Sequence, residues 1–172
     1  MTVVTGMGVA DVLRAFRADP ARPEPMRALG EDLMRRRSID PWVAVHDAGG
    51  AVVAVEYNGW QGSTHPVLTR ASAGGRAASM FWNVNALTRL SFAERGQILL
   101  SVEPFGDVDA PPAVAAALTG LDFADLLRNK RLLGLVAVER FTGRGITADD
   151  LARIEDADVA FRIVPDPPPV RR

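Results

Sequence analysis

Pro41 to Trp60 reads PWVAVHDAGGAVVAVEYNGW, and the way this stretch pairs with itself decides the fold. Two valine-rich runs flank Asp47-Ala48-Gly49-Gly50, which is the mark of a β-hairpin. Beyond Tyr57 the chain turns through Asn58-Gly59 and sets down Trp60-Gln61-Gly62-Ser63. Loop length fixes the register. A three-residue loop, Ala48-Gly49-Gly50 with Gly50 left-handed, pairs Asp47 with Ala51. Val43, Val45, Val53, Val55 and Tyr57 then line one face. Trp42, Ala44, His46, Val52, Ala54, Glu56 and Asn58 line the other, with Trp42 opposite Glu56. A two-residue loop shifts one strand by one position and breaks this grouping. The three-residue loop is the expectation.

Outward from the hairpin, the N-terminal side carries a short strand, Thr2-Val3-Val4-Thr5, closed by Gly6-Met7-Gly8. Val9, Val12, Leu13 and Phe16 follow at helical spacing and make one apolar face. Pro20 and Pro23 end that helix. Met26, Leu29, Leu33 and Met34 mark a second amphipathic helix after Pro25, with Arg35-Arg36-Arg37 at its C-terminal end, where cations complement the dipole. On the C-terminal side, Ser63-Thr64-His65-Pro66 opens a brief helix that stops at Gly74-Gly75. Arg76 to Val84 is apolar on both faces, so it belongs in the middle of a sheet. Leu87 to Phe92 and Gln97 to Glu103 form a second hairpin with Ile98, Leu100 and Val102 on its core face.

After Pro104-Phe105-Gly106-Asp107 the pattern turns helical. Asp109 is placed to cap a helix begun by Pro111-Pro112, and Asp122 to cap one carrying Phe123, Leu126 and Leu127. Leu132 to Phe141 is apolar nearly all round, as a helix covered on several sides is. Thr147-Ala148-Asp149-Asp150 reads as a capping box with Asp in place of Glu. Val159, Phe161 and Ile163 suggest a last strand, and Pro165-Asp166-Pro167-Pro168-Pro169 an extended tail. The expected architecture is α+β: a mainly antiparallel sheet of about five or six strands with helices packed on one side. Residues 1–164 are expected to form one domain, sheet-rich to 105 and mostly helical from 106, with 165–172 a flexible tail whose removal leaves stability unchanged.

Composition excludes several functional classes. A net charge of −1 offers no basic surface for nucleic acid or anionic membranes. With no cysteine, disulfides and thiolate metal sites are ruled out. No basic leader and no long apolar run is present, so the chain reads as cytoplasmic. Gly6-Met7-Gly8 lacks the third glycine of a dinucleotide loop, and no nucleophile elbow surrounds Ser63 or Ser72.

The order of features resembles a known family. The resemblance rests chiefly on Val55-Glu56-Tyr57-Asn58-Gly59-Trp60-Gln61-Gly62-Ser63, supported by Val3-Val4-Thr5-Gly6 and by the Arg76 to Asn85 segment. Ala137-Val138-Glu139-Arg140-Phe141-Thr142-Gly143 followed by Ile146-Thr147 extends it towards the C-terminus. Together these resemble the actinobacterial proteins grouped as domain of unknown function 6461. The resemblance implies an intracellular bacterial protein and, since the family has no assigned activity, supplies no catalytic residue.

His46 and His65 stand in no HxxH or HExxH spacing, so a metal site needs both to meet a carboxylate such as Glu56. No catalytic residue, metal or cofactor is assigned. The candidate binding residues are Trp42, His46, Glu56, Asn58 and Trp60, because a tryptophan placed after a turn at a strand end is where loops carry function. The leading reading is a non-enzymatic interaction or regulatory module with a protein partner. A small-ligand binder using Glu56, Asn58 and Trp60 is the alternative, and an enzyme of unfamiliar class the third. A pocket beside these residues favours the second reading, a flat apolar patch the first, and a convergent His46–Glu56–His65 group the third.

Overall fold

The computed structural model describes residues 1–36, 40–57, 59–104, 106, 108–124 and 129–166. Eight strands form one antiparallel sheet: β1 (Thr2–Thr5), β2 (Glu24–Pro25), β3 (Trp42–Asp47), β4 (Ala51–Val55), β5 (Arg76–Trp82), β6 (Thr88–Glu94), β7 (Gln97–Val102) and β8 (Val159–Arg162). Their order across the sheet is β2-β8-β3-β4-β1-β5-β6-β7. Among the described residues six α-helices accompany them: α1 (Val9–Ala15), α2 (Met26–Arg36), α3 (His65–Ala71), α4 (Pro112–Leu118), α5 (Lys130–Thr142) and α6 (Ala148–Ala157). The sheet therefore exceeds the expected five or six strands. Glu24–Pro25 is too short to carry an alternating pattern. β8, from the C-terminal part, joins the sheet between β2 and β3.

The hairpin takes the other register. Asp47 pairs with Val52 and His46 with Val53, and Ala48 N–H donates to Ala51 O at 2.8 Å. The loop is the two residues Gly49 and Gly50, with φ of 73° and 90°. Positive φ at both central residues is the type I′ pattern, whose twist matches that of the strands, and glycine adopts it without strain. The one-residue change moves side chains as a slip must. Val43, Val52 and Ala54 face one way, and Trp42, Ala44, Val53 and Val55 the other.

Helices cover both faces, not one. On the first face α1 and α3 bury Val12, Leu13, Phe16 and Leu68 against Val4 and Val52. On the opposite face α4 and α5 lie over Ala78, Met80, Leu90 and Phe92, through Val114, Ala137, Val138 and Phe141. Beside them Leu29 of α2 and Ile154 of α6 cover Trp42, Ala44, Val53 and Val55. The strands demand this: every residue of β4 is buried, so neither of its faces meets water.

Two finer expectations change. In β7, Phe92 pairs with Leu100 but Ala93 with Ile98, leaving Leu99 as an extra residue. This bulge sends Ile98 to the α1–α3 side and Leu100 to the α4–α5 side, so the two do not share a core face. The N-cap of α4 is Pro111, with no side-chain cap from Asp109. Asp122 accepts from Ala124 N–H at 2.9 Å, and the helix expected around Leu126 and Leu127 lies outside the described residues. The capping box at Thr147 and Asp150 is present, as is the left-handed Gly143 that ends α5.

Candidate functional site

Met1 extends β1 by one pair, exchanging two hydrogen bonds of 3.0 Å with Met80 of β5. Beyond that pair β5 continues through Phe81 and Trp82, and the chain after β4 continues through Glu56 and Tyr57. A cleft of about 580 Å³ opens between them, with Glu56, Tyr57, Trp60, Trp82 and Arg131 among its lining residues. Alternate residues of an antiparallel strand bond to the same neighbour. Trp82, two residues beyond Met80, therefore turns its peptide N–H and C=O to the side where the cleft lies.

Glu56 anchors the wall. Its Oε1 accepts from Gln61 N–H at 2.8 Å and its Oε2 from Gly62 N–H at 2.7 Å. The carboxylate thereby holds the short 3-10 turn Gln61–Ser63, whose three residues are buried. Ser63 Oγ and Thr64 Oγ1 close the same turn by donating to the carbonyls of Trp60 and Gln61. Burial pushes the Glu56 carboxyl above the usual carboxylate range, and the two amide donors with the Met1 amino charge only partly offset this. Glu56 is half-buried, in keeping with the cost of fully burying a carboxylate without a cationic partner.

Gly59 and Gly62 are needed here for space. A Cβ on Gly59 would lie 2.6 Å from Glu56 Oε1, and one on Gly62 would lie 2.3 Å from Thr2 Oγ1. Gly59 is not among the glycines of positive φ, so the turn chemistry expected of Asn58-Gly59 is not its reason. Asn58 itself lies outside the described residues.

The other candidates separate. Trp42 is buried and stacks on Tyr57 with ring centroids 5.4 Å apart. The Tyr57 hydroxyl donates to Glu155 at 3.3 Å. Tyr57 thus divides the cleft from a shallower groove of about 350 Å³ that Trp42 shares with Met26 and Gly30. His46 lies on the α6 side, with Nε2 3.7 Å from Asp150 Oδ1. His65 is exposed at the start of α3. His46, Glu56 and His65 are not among any metal-holding groups, and no such group of three or more His, Asp or Glu occurs among the described residues. Of the four described candidates, Glu56 and Trp60 line the cleft, and Trp42 and His46 do not.

Sequence reasoning missed Trp82 and Arg131 as site residues. Trp82 reads as a core residue of a central strand, yet it stands half-buried at the strand end, while Met80 is the fully buried residue. Arg131 is 71 residues further along than Trp60 by number alone. Its one local signal is the pair Lys130-Arg131 at the start of a helix with no acidic residue in its first turn, against the dipole preference.

No helix among the described residues is long and apolar enough to cross a membrane. Comparison with curated proteins and with solved structures finds no match. Residues 1–165 match the profile of a family of unknown function, DUF6461, and the chain belongs to that family.

Proposed function

We propose that this protein binds a small organic molecule in the cleft between β4 and β5. The observation that carries this reading is the cleft itself: about 580 Å³, a volume typical of ligand sites, with aromatic walls and a few polar groups. Trp60 is 51% exposed and Tyr57 37%, and large aromatic surface is costly to leave in water without a partner. The wall that carries Trp60 is fixed by the Glu56 hydrogen bonds, so a ligand would meet a preformed surface. A fragment screen by protein-observed NMR tests the reading. Bound fragments should shift the amides of Gln61, Phe81 and Trp82, and Trp60→Ala should weaken binding about tenfold while leaving the melting temperature unchanged. Shifts confined to other regions, or none at all, would remove the cleft as a ligand site.

A protein partner is the second reading, favoured by one observation. Val84 is 96% exposed and Leu87 53%, in the turn between β5 and β6 that borders the cleft through Val84. Together with Trp60 they give the rim an apolar character suited to docking. Cross-linking that captures a partner through Val84, and fails in a Val84→Asp chain, would favour this reading over the first.

A further inference from the structure

The ligand's charge can be read from Arg131, on the premise that the cleft binds a small molecule. Arg131 lies over the Trp82 ring with its guanidinium carbon 5.6 Å from the ring centroid, and both residues line the cleft. Elsewhere in the chain Arg76, Arg144 and Arg162 each meet a carboxylate. Arg131 meets none among the described residues.

Its position sharpens the imbalance. Lys130 and Arg131 open the 13-residue helix α5, whose first turn holds no acidic residue. The positive end of the helix dipole and the Arg131 charge therefore add rather than cancel. The first-turn N–H groups of Arg131 and Leu132 are already taken by the Asn129 side chain, which leaves the guanidinium as the free donor. A guanidinium held over an indole face keeps its fork of N–H donors, the group that grips a planar carboxylate with two hydrogen bonds. The opposite wall carries the Glu56 carboxylate, which disfavours a second negative group beside it. Aromatic surface from Trp60, Tyr57 and Trp82 lies between.

We infer that the cleft takes a planar aromatic monoanion, its carboxylate on Arg131 and its ring against the aromatic walls on the Glu56 side. The test is isothermal titration of the full chain with three ligands that share one ring: 2-naphthoate, 2-naphthamide and 2-naphthylmethylamine. The carboxylate should bind about tenfold or more tighter than the amide, as a charge-assisted bidentate pair predicts, with the amine weakest. Arg131→Gln should erase that preference while leaving amide binding in place. Arg131→Lys should keep part of it, because the charge remains and the fork is lost. Amide or amine binding as tight as carboxylate binding, or a preference that survives Arg131→Gln, would overturn the charge assignment and leave the small-ligand reading standing. If none of the three binds at millimolar concentration, both fall.

Discussion

Two carboxylates near β4, Asp150 buried and Glu56 half-buried, satisfy themselves in different ways. Asp150 opens α6 with only 4% of its side chain exposed. It accepts from Arg144 at 2.7 and 2.9 Å, from the Thr147 hydroxyl at 2.7 Å and from the Thr147 N–H at 2.8 Å. Burial pushes its carboxyl up, but these donors and the Arg144 charge outweigh that and hold it below the ordinary aspartate range. Glu56 accepts two backbone N–H groups, has no cationic side chain, and is pushed up by burial. The Asp150 carboxylate is met by four donor contacts from Arg144 and Thr147. Glu56 stands on a cleft with its charge less fully compensated. The contrast separates a fully paired structural carboxylate from one that faces a cleft.

The comparison can be broken at its strongest point first. Asp150→Asn removes the charge that Arg144 needs and half of the capping box, and should cost about 2–4 kcal/mol by urea denaturation, moderated because Arg144 is partly exposed. A loss under about 0.5 kcal/mol would mean the Asp150 pairing contributes no more than a surface pair. Glu56→Gln should cost less, about 1–2 kcal/mol: one oxygen still accepts, but the amide NH₂ faces the second backbone N–H and leaves it unsatisfied. If the two variants lose equal stability, the distinction between the sites fails.

The pH dependence of stability should show opposite signs. The folded-state pKa of Asp150 is depressed, so its contribution is complete above the unfolded value of about 4 and is lost as pH falls through the lower folded value. Glu56 is raised. The folded state therefore holds that proton more tightly, and its contribution is lost as pH rises from about 4.3 through the raised folded value. In a series of urea midpoints, Asp150→Asn should flatten the acid limb and Glu56→Gln the decline above it. A wild-type acid limb unchanged in Asp150→Asn would contradict the assignment.

The smallest effect belongs to a third, more exposed carboxylate. Asp166 accepts from Arg70 at 2.9 and 3.2 Å and from Arg17 at 3.3 Å, and Arg17 also reaches the Pro165 carbonyl. The start of the expected flexible tail is thus fastened to α3 and to the chain after α1, while 167–172 lie outside the described residues. Asp166→Ala should cost about 0.5–1 kcal/mol, the range of a solvent-screened pair. A melting temperature unchanged by Asp166→Ala would return the segment to the unattached tail that its proline content suggests.

Local chemistry was legible where it acts within a few residues. The α1 face of Val12, Leu13 and Phe16, the Thr147–Asp150 capping box, the Gly143 stop and the strand character of β1, β4 and β5 all follow from spacing and propensity, whose partners lie within one or two turns. Apolar residues on both sides of β5 also require cover on both faces of the sheet. Tertiary structure decided what depends on distant segments. Whether Gly49-Gly50 or Ala48-Gly49-Gly50 turns the hairpin depends on which faces α1, α3 and α6 cover, and a one-residue choice there moved Glu56 away from Trp42 and His46. Glu24–Pro25 becomes a strand only because β8 lies beside it. The cleft joins Glu56, Trp60, Trp82 and Arg131 from three separate parts of the chain, and no local pattern encodes a gap between strands. Sequence by itself determined which segments fold and which residues seek burial; packing of those segments determined which aromatic and charged side chains were left facing one another.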